Sequence, residues 1–189
     1  MIAYLNGALI EEEKAKISVT DRGLTLGDGL FETVRARNGK PERLGAHMQR
    51  LFDGAAFLGI TVPFNANQLG RALTETLVAN ELEEGILRLT LTRGAAARGL
   101  TVTRDYSPTL IITAAEMPPS SNPAKAWIAR TISRNEMSPL SRLKTLCYLD
   151  NIIARRESDK KNADEAILLN SKGFIAEATT ANLFVVVND

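Results

Sequence analysis

The sequence predicts a mixed α+β fold in two domains. Short apolar segments joined by Asn-Gly turns open the chain, two stretches with helical apolar spacing follow, and residues 116–125, EMPPSSNPAK, interrupt these patterns. Because a segment rich in proline and serine is typical of a linker, we expect an N-terminal α+β domain, a linker and the first part of a C-terminal domain. The predicted bounds are 1–116, 117–125 and 126–189.

Strand patterns begin the first domain. Residues 2–10, IAYLNGALI, predict two short strands around Asn6-Gly7, a dipeptide favoured in two-residue hairpin turns. Residues 20–23, TDRG, predict a further turn. Residues 30–44, LFETVRARNGKPERL, predict a second hairpin with its own Asn-Gly turn.

Two helices and two strands complete the predicted first domain. Apolar residues recur at helical spacing over residues 44–60 and again over 67–82, where Asn65 or Asn67 is a suitable cap. The β-branched and apolar segments 85–93 and 109–115 predict strands. A long loop between two strands is often functional.

The second domain resumes with a β-α-β pattern. The predicted elements are a strand over 126–132, a loop over 134–143, a helix over 148–161, a strand over 165–170, a turn over 171–173 and a β stretch from Phe174 onward. Residues 183–187, LFVVV, predict a strongly apolar strand, and Asn188-Asp189 predicts the start of a turn. We therefore expect this second domain to be incomplete in the chain.

Composition limits the partners. The 189 residues carry 23 basic and 22 acidic side chains and a formal net charge of +1, so the sequence predicts no nucleic-acid or membrane-surface partner. No apolar run approaches the roughly 20 residues of a membrane helix. Cys147 is the single cysteine, and the N-terminus lacks a signal-peptide pattern, so we expect a cytoplasmic protein. A lone histidine, His47, argues against a zinc site, and we expect no metal.

Two residues can carry chemistry. Lys144 precedes a helix whose apolar face begins at Leu146, so its amine can lie against a partly desolvated wall, which favours the neutral amine that Schiff-base chemistry requires. Glu177 lies in the strand AEATTANLF and, if buried, needs a cationic partner. The alternatives are a solvated surface lysine and an exposed glutamate on an edge strand.

Taken together, five segments resemble the class IV aminotransferases, the fold-type IV pyridoxal-phosphate enzymes that include branched-chain and D-amino-acid aminotransferases and 4-amino-4-deoxychorismate lyase. The segments are DRGLTLGDGLFETVR (21–35), HMQRL (47–51), LKTLCYL (143–149), NADEAILLN (162–170) and GFIAEATTANLFVV (173–186). The resemblance implies two domains with the cofactor, pyridoxal 5′-phosphate, at their interface. Family members are longer, and the missing part would supply a helix N-terminus for the phosphate.

The resemblance also implies roles for the cofactor-binding residues. Lys144 matches the catalytic lysine that forms the Schiff base and moves the proton, and Glu177 matches the carboxylate that pairs with the pyridinium nitrogen. Arg50 matches the phosphate-binding arginine. Tyr148 matches a tyrosine that hydrogen-bonds the phenolic oxygen, and Thr180 and Asn182 match small polar residues near the cofactor.

The sequence offers two resemblances that bear on the substrate. The carboxylate trap of D-amino-acid aminotransferases uses a tyrosine, an arginine and a histidine, and the matching positions here are Phe31, Arg98 and Leu100. The loop TRGAAARGL, with Arg93 and Arg98, resembles a segment of the lyases, whose substrate carries two carboxylates.

We therefore expect a branched-chain-like aminotransferase acting on an amino acid and a 2-oxo acid, by resemblance a homodimer. The alternatives are a 4-amino-4-deoxychorismate lyase, which releases pyruvate and 4-aminobenzoate, and a truncated, inactive relative.

Overall fold

The computed structural model describes residues 1–102, 106–118 and 123–187. Its contacts form two compact units: Met1–Pro118 with Leu143–Leu146, and Pro119–Arg142 with Cys147–Asp189. The segment that contains Lys144 thus packs with the first unit, whereas the predicted bounds place it in the second domain. Parts of the predicted loop over 93–108 and linker over 117–125, and the predicted turn at Asn188-Asp189, lie outside the described residues.

A six-stranded antiparallel sheet forms the centre of the first unit, in the order β2-β1-β6-β5-β3-β4. The strands are β1 (Ile2–Leu5), β2 (Ala8–Glu11), β3 (Gly29–Arg37), β4 (Lys40–Pro41), β5 (Gly85–Thr92) and β6 (Thr109–Ala115). Both predicted Asn-Gly hairpins are confirmed. Their turn residues have the positive φ angles that such turns require, 49° and 106° in the first hairpin and 50° and 69° in the second.

The turn predicted over residues 20–23 is present in part: Val19 and Thr20 form a turn, and a short helix, α1 (Arg22–Leu26), begins after Asp21. Asp21 caps it: its buried carboxylate accepts a hydrogen bond from Gly23 N at 2.7 Å. The same carboxylate accepts from the hydroxyls of Thr92 and Thr109, at 2.9 and 2.8 Å. Two strand ends therefore stabilise this helix, a contribution that local turn propensity does not contain.

Two longer helices, α2 (Leu44–Leu58) and α3 (Ala66–Ala79), confirm the predicted helical segments. Asn65 is the cap of α3, in a reciprocal capping box with Gln68. The helices pack on the sheet through fully buried side chains, which include Leu51, Leu69, Leu73, Leu77, Leu87, Leu89, Leu91, Leu110 and Ile112. Within the described part of the chain, no helix is long and apolar enough to cross a membrane.

The second unit is a three-stranded sheet in the order β7-β8-β9, with one helix. Its elements are β7 (Ala126–Ile128), α4 (Leu149–Asp159), β8 (Glu165–Leu169) and β9 (Ile175–Ala178). β7 and β8 are parallel and β8 and β9 antiparallel. Since parallel neighbours need a crossover, α4 makes the connection, and Ala154 of the helix packs on Ala166 and Leu168 of β8.

The strand predicted over residues 183–187 is wrong. The structure has irregular backbone there, and Phe184 is 87% exposed. An apolar, β-branched run forms a strand only where another strand accepts its hydrogen bonds, and among the described residues none pairs with this segment. Apolar composition alone therefore overstated the β-structure.

Candidate functional site

Lys144 is held by β-pairing against the first half of β3. Phe31 N donates to Lys144 O at 2.9 Å, and Leu146 N donates to Gly29 O at 3.1 Å. This edge of β3 is available because β4 pairs only with Ala36 and Arg37, at the far end of the strand. The backbone of the lysine is therefore fixed by the sheet although it lies outside any regular strand.

Phe31 lies close to two cations. Lys144 Nζ is 4.5 Å from the centroid of its ring, and Arg88 Cζ is 3.9 Å from the same centroid. The two cationic groups are thus no farther apart than the sum of these distances. Phe31 is 4% exposed, whereas Arg88 is exposed. The sequence analysis did not single out Arg88. A lone arginine in the apolar strand ILRLTL is a pattern that could have indicated a candidate site residue.

Arg50 is bound to Glu32, a glutamate that is 1% exposed. Its Nε and Nη2 donate to Glu32 Oε1 and Oε2, both at 2.6 Å, and His47 Nδ1 lies 2.7 Å from Oε2. Burial by itself raises the pKa of Glu32, but the hydrogen bonds and charges of Arg50 and His47 outweigh it, so the net pKa is lowered. Glu32 is therefore an ionised carboxylate beneath the predicted phosphate-binding arginine.

Arg93 is committed to the protein's own structure. Its Nε and Nη2 donate to the two carboxylate oxygens of Asp28, at 2.8 and 3.1 Å. Its Nη1 donates to Gly59 O and its Nη2 to Leu58 O, the carbonyls that end α2. The predicted substrate-binding arginine is thus buried and closes a helix terminus. Asp28 also binds Arg22, and these bonds lower the pKa of Asp28 against the opposing effect of burial.

Arg98 and Leu100 lie in an exposed loop. Arg98 lines a cleft of about 420 Å³ together with Arg22, Thr20, Thr25 and Ala96. Leu100 is 82% exposed and carries no polar group. Of the three predicted carboxylate-trap positions, only Arg98 therefore presents a charge.

Glu177 has the cationic partner that its position requires. Arg134 Nε lies 3.2 Å from Glu177 Oε1, and both atoms are buried. The contact is an ion pair whose angle lies outside that of a hydrogen bond. The Glu177 side chain is 33% exposed, so one oxygen is engaged within the unit while part of the carboxylate stays accessible.

Tyr148 and Thr180 meet in one pocket of the second unit. A cavity of about 200 Å³ is lined by Tyr148, Asn151, Ile152, Arg155, Arg156, Thr179 and Thr180. Asn151 is 3% exposed; its Nδ2 donates to Thr179 O at 3.2 Å, and its Oδ1 has no hydrogen-bond partner among the described residues. The surface that this pocket presents is apolar, and Asn151 Oδ1 is buried.

Glu165 holds the loop that contains Thr180. Its carboxylate accepts hydrogen bonds from the hydroxyls of Thr179 and Thr180 and from the backbone N–H of Ala181. Burial raises the pKa of Glu165, but these bonds outweigh it and the pKa is lowered. Asn182 follows directly and is exposed. Sequence reasoning missed the role of Glu165, because no pattern in NADEAILLN indicates a partner 15 residues away.

The structure thus brings the predicted residues together in groups. Lys144 and Phe31 contact each other in the first unit, and Tyr148 and Thr180 share a pocket in the second. Arg50 and Glu177 each bind a partner that the sequence did not predict, Glu32 and Arg134.

Comparison with known proteins shows which family this chain resembles. The sequence model of the family described as amino-transferase class IV matches residues 29–189. One relative is a protein of Methanocaldococcus jannaschii, provisionally named a branched-chain-amino-acid aminotransferase. It is 37% identical over 192 residues, which cover all of this chain and 66% of the relative. The aminodeoxychorismate lyase of Bacillus subtilis is 31% identical over 96% of this chain and 63% of its own length.

A solved structure has the same fold. The branched-chain aminotransferase of the archaeon Thermoproteus uzoniensis, crystallised with norvaline, superimposes with a TM-score of 0.85 at 31% identity, covering 95% of this chain and 63% of its own. The chain thus spans about two thirds of the length of these relatives. The family match covers most of the sequence, and the predicted resemblance is confirmed. The chain belongs to the class IV aminotransferase family.

Proposed function

We propose that the protein is a pyridoxal-phosphate-dependent aminotransferase of the branched-chain type. The observation that carries the proposal is the position of Lys144, whose backbone pairs with β3 and whose amine lies 4.5 Å from the Phe31 ring centroid. An amine held against a buried aromatic ring by a backbone fixed to the sheet has a restricted position, which a nucleophile that must meet one atom of the cofactor requires.

The side chains present fit this cofactor. In the first unit, the Lys144 amine suits its aldehyde, and the half-exposed fork of Arg50 suits its phosphate. In the second unit, Glu177 suits the pyridinium nitrogen, because its carboxylate is ion-paired with Arg134 and the side chain is partly exposed. By resemblance, Tyr148 would bind the phenolic oxygen, and Thr180 and Asn182 would lie near the cofactor. When bound, the cofactor supplies an electron sink for the electrons released at the substrate's α carbon.

Lys144 has two tasks under this proposal. Its Nζ would hold the cofactor at the aldehyde carbon, and the same amine, once released, would take a proton from the substrate's α carbon and return it. The β-pairing of residues 144–146 with β3 keeps the backbone of this base fixed between the two tasks. Glu177 would hold the ring nitrogen and favour its protonated form.

Arg88 is our candidate for the substrate carboxylate. Its guanidinium stacks on the same ring as the Lys144 amine, so a molecule whose amino group meets Lys144 lies within reach of a positive charge. Phe31 and Leu100 lack the polar groups of the D-amino-acid trap. An amino acid and a 2-oxo acid both carry the carboxylate that such an arginine binds.

The 37% identity with the Methanocaldococcus protein supports the transaminase, and the 31% identity with the Bacillus lyase supports the second candidate, 4-amino-4-deoxychorismate lyase. Both reactions use the same lysine and differ in the fate of the substrate.

The resemblance also supports a homodimer, which light scattering of the purified protein would test. A cytoplasmic location is proposed as well, and fractionation of the source cells would test it.

Cofactor titration tests the shared proposal. We expect wild-type protein to acquire a visible absorbance band with pyridoxal 5′-phosphate, Lys144→Ala to acquire none, and the exposed-lysine control Lys172→Ala to match wild type. An amino donor with 2-oxoglutarate then tests the transaminase, and aminodeoxychorismate tests the lyase. A wild-type protein that stays colourless would instead support the truncated, inactive relative.

A further inference from the structure

We propose that Glu32 and His47 are positioning residues for the cofactor phosphate, acting through Arg50. The inference rests on the proposed function, because it takes Arg50 as the phosphate ligand. It goes further by assigning two residues that touch neither substrate nor cofactor. Both act by fixing the plane of one guanidinium.

The position of Glu32 calls for such a role. It lies on the face of β3 that points toward the helices, between the buried residues Leu30 and Val34. An apolar side chain would serve the core at this place, since burying a carboxylate costs free energy unless it is paired. Among the described residues, Glu32 is paired with two side chains of α2, His47 and Arg50, which lie three residues apart on one helix face.

The two bonds to Glu32 fix the orientation of Arg50. A guanidinium presents two edges that bind oxyanions in a planar fork, and the Nε–Nη2 edge is occupied by Glu32 at 2.6 Å for each bond. The edge that carries Nη1 is thereby directed away from Glu32. The Arg50 side chain is 51% exposed, so a phosphate can approach the guanidinium from solvent. A pre-oriented fork loses less conformational entropy when it binds a phosphate.

His47 restrains the carboxylate itself. Its Nδ1 lies 2.7 Å from Oε2, the oxygen that also accepts from Arg50 Nη2. An ionised carboxylate only accepts hydrogen bonds, so Nδ1 carries the proton. With one oxygen held from two directions, the carboxylate cannot rotate without breaking a charge-assisted bond.

A purely electrostatic role makes the opposite prediction. Glu32 cancels part of the positive charge of Arg50, so removing the carboxylate would strengthen the attraction of Arg50 for a phosphate. A merely structural role makes a third prediction, in which variants weaken the binding of every form of the cofactor alike. Comparing a phosphorylated with an unphosphorylated ligand separates the three.

The experiment measures dissociation constants of pyridoxal 5′-phosphate and of pyridoxal by absorbance titration, for wild type, Arg50→Gln, Glu32→Gln, His47→Leu and His47→Gln. We expect Arg50→Gln and Glu32→Gln to weaken pyridoxal-phosphate binding about tenfold or more, and His47→Leu by a smaller factor. Pyridoxal binding should change by less than about twofold. His47→Gln should recover most of the loss, because its amide can donate to Glu32. Gln49→Leu, on an exposed position of α2, is the matched control.

Equal losses for both ligands, or tighter pyridoxal-phosphate binding by Glu32→Gln, would overturn the inference. If Glu32→Gln does not fold, the two His47 variants test the inference. The His47 side chain is 20% exposed, and the Glu32 carboxylate keeps its ion pair with Arg50 when His47 is replaced. A calorimetric titration of inorganic phosphate into the cofactor-free protein measures phosphate binding directly and does not depend on activity. The proposed function fails separately, if wild type binds neither pyridoxal 5′-phosphate nor pyridoxal.

Discussion

Phe31 contacts Lys144 twice: its backbone N–H donates to the lysine carbonyl at 2.9 Å, and its ring centroid lies 4.5 Å from the lysine amine. One residue thus fixes both the backbone and the reactive end of the lysine. The same ring also contacts Arg88, so three residues of three separate segments form one cluster.

Replacing Phe31 tests how much this cluster stabilises the first unit. Phe31→Ala removes a buried aromatic side chain, so we expect a loss of about 3–5 kcal/mol in the free energy of unfolding. Phe31→Leu keeps most of the apolar volume, so its loss in the free energy of unfolding should be smaller. That loss includes roughly 0.5–1 kcal/mol for each of the two cation–π contacts. Urea unfolding measures both. Phe57→Ala, at a residue that is 59% exposed, should stay within about 0.5 kcal/mol of wild type.

The Arg93–Asp28 pair should be structural. Arg93→Ala leaves the partly buried Asp28 carboxylate with Arg22 as its remaining partner and the end of α2 without two donors, so a loss of about 3 kcal/mol is expected. The exposed arginine variant Arg71→Ala is the control. If Arg93→Ala instead unfolds at the wild-type urea concentration, the contacts of Arg93 contribute nothing to the free energy of unfolding. A substrate-binding role for Arg93 would then be favoured.

Glu157 gives the second unit a dependence on acid. It accepts hydrogen bonds from Trp127 Nε1 and from the backbone N–H groups of Arg130 and Thr131, and these lower its pKa from 4.5 to about 2. A carboxyl with a lowered folded-state pKa contributes stability that is complete above its unfolded value. That contribution declines as the pH falls below 4.5 and is lost at about 2.

We therefore expect Glu157→Gln to be less stable than wild type at neutral pH and to approach it as the pH falls from 4.5 toward 2. Trp127 is the single tryptophan, so its fluorescence reports unfolding of this unit. Glu13→Gln, at an exposed glutamate, should keep the wild-type pH profile. Parallel curves for Glu157→Gln and wild type over this range would contradict the assignment.

Arg88 should govern recognition of the substrate carboxylate. Arg88→Gln is expected to raise KM for an amino-acid donor about tenfold or more while pyridoxal-phosphate binding stays unchanged. The matched control is Arg37→Gln, an exposed arginine at the far end of β3. A variant that loses kcat with KM unchanged would indicate that Arg88 acts on the chemical step and not on substrate binding.

The sequence predicted the regular elements of the first unit because their signals are local. Asn-Gly turns, a capping residue at Asn65 and apolar periods of two and 3.6 residues depend on neighbours along the chain. The helix at Arg22–Leu26 was missed because threonines from two distant strands stabilise its cap. The failed strand at 183–187 shows the converse, a local pattern without a partner among the described residues.

The site divides in the same way. Lys144, Arg50 and Glu177 were predicted from motifs, as the residue types that the chemistry of the proposed cofactor would require. Their partners Glu32 and Arg134 were not, since each pairing joins segments that are distant in sequence. A buried charge in a strand is a usable signal that a partner exists, but it does not identify the partner.

Under the proposed function, Lys144 binds the cofactor covalently. Reduction of the protein with borohydride in the presence of pyridoxal 5′-phosphate, followed by digestion and mass spectrometry, locates the modified peptide. We predict a phosphopyridoxyl group on Lys144 and on none of the other lysines at stoichiometric yield. An unmodified Lys144 peptide, or modification spread over exposed lysines such as Lys172, would contradict the claim.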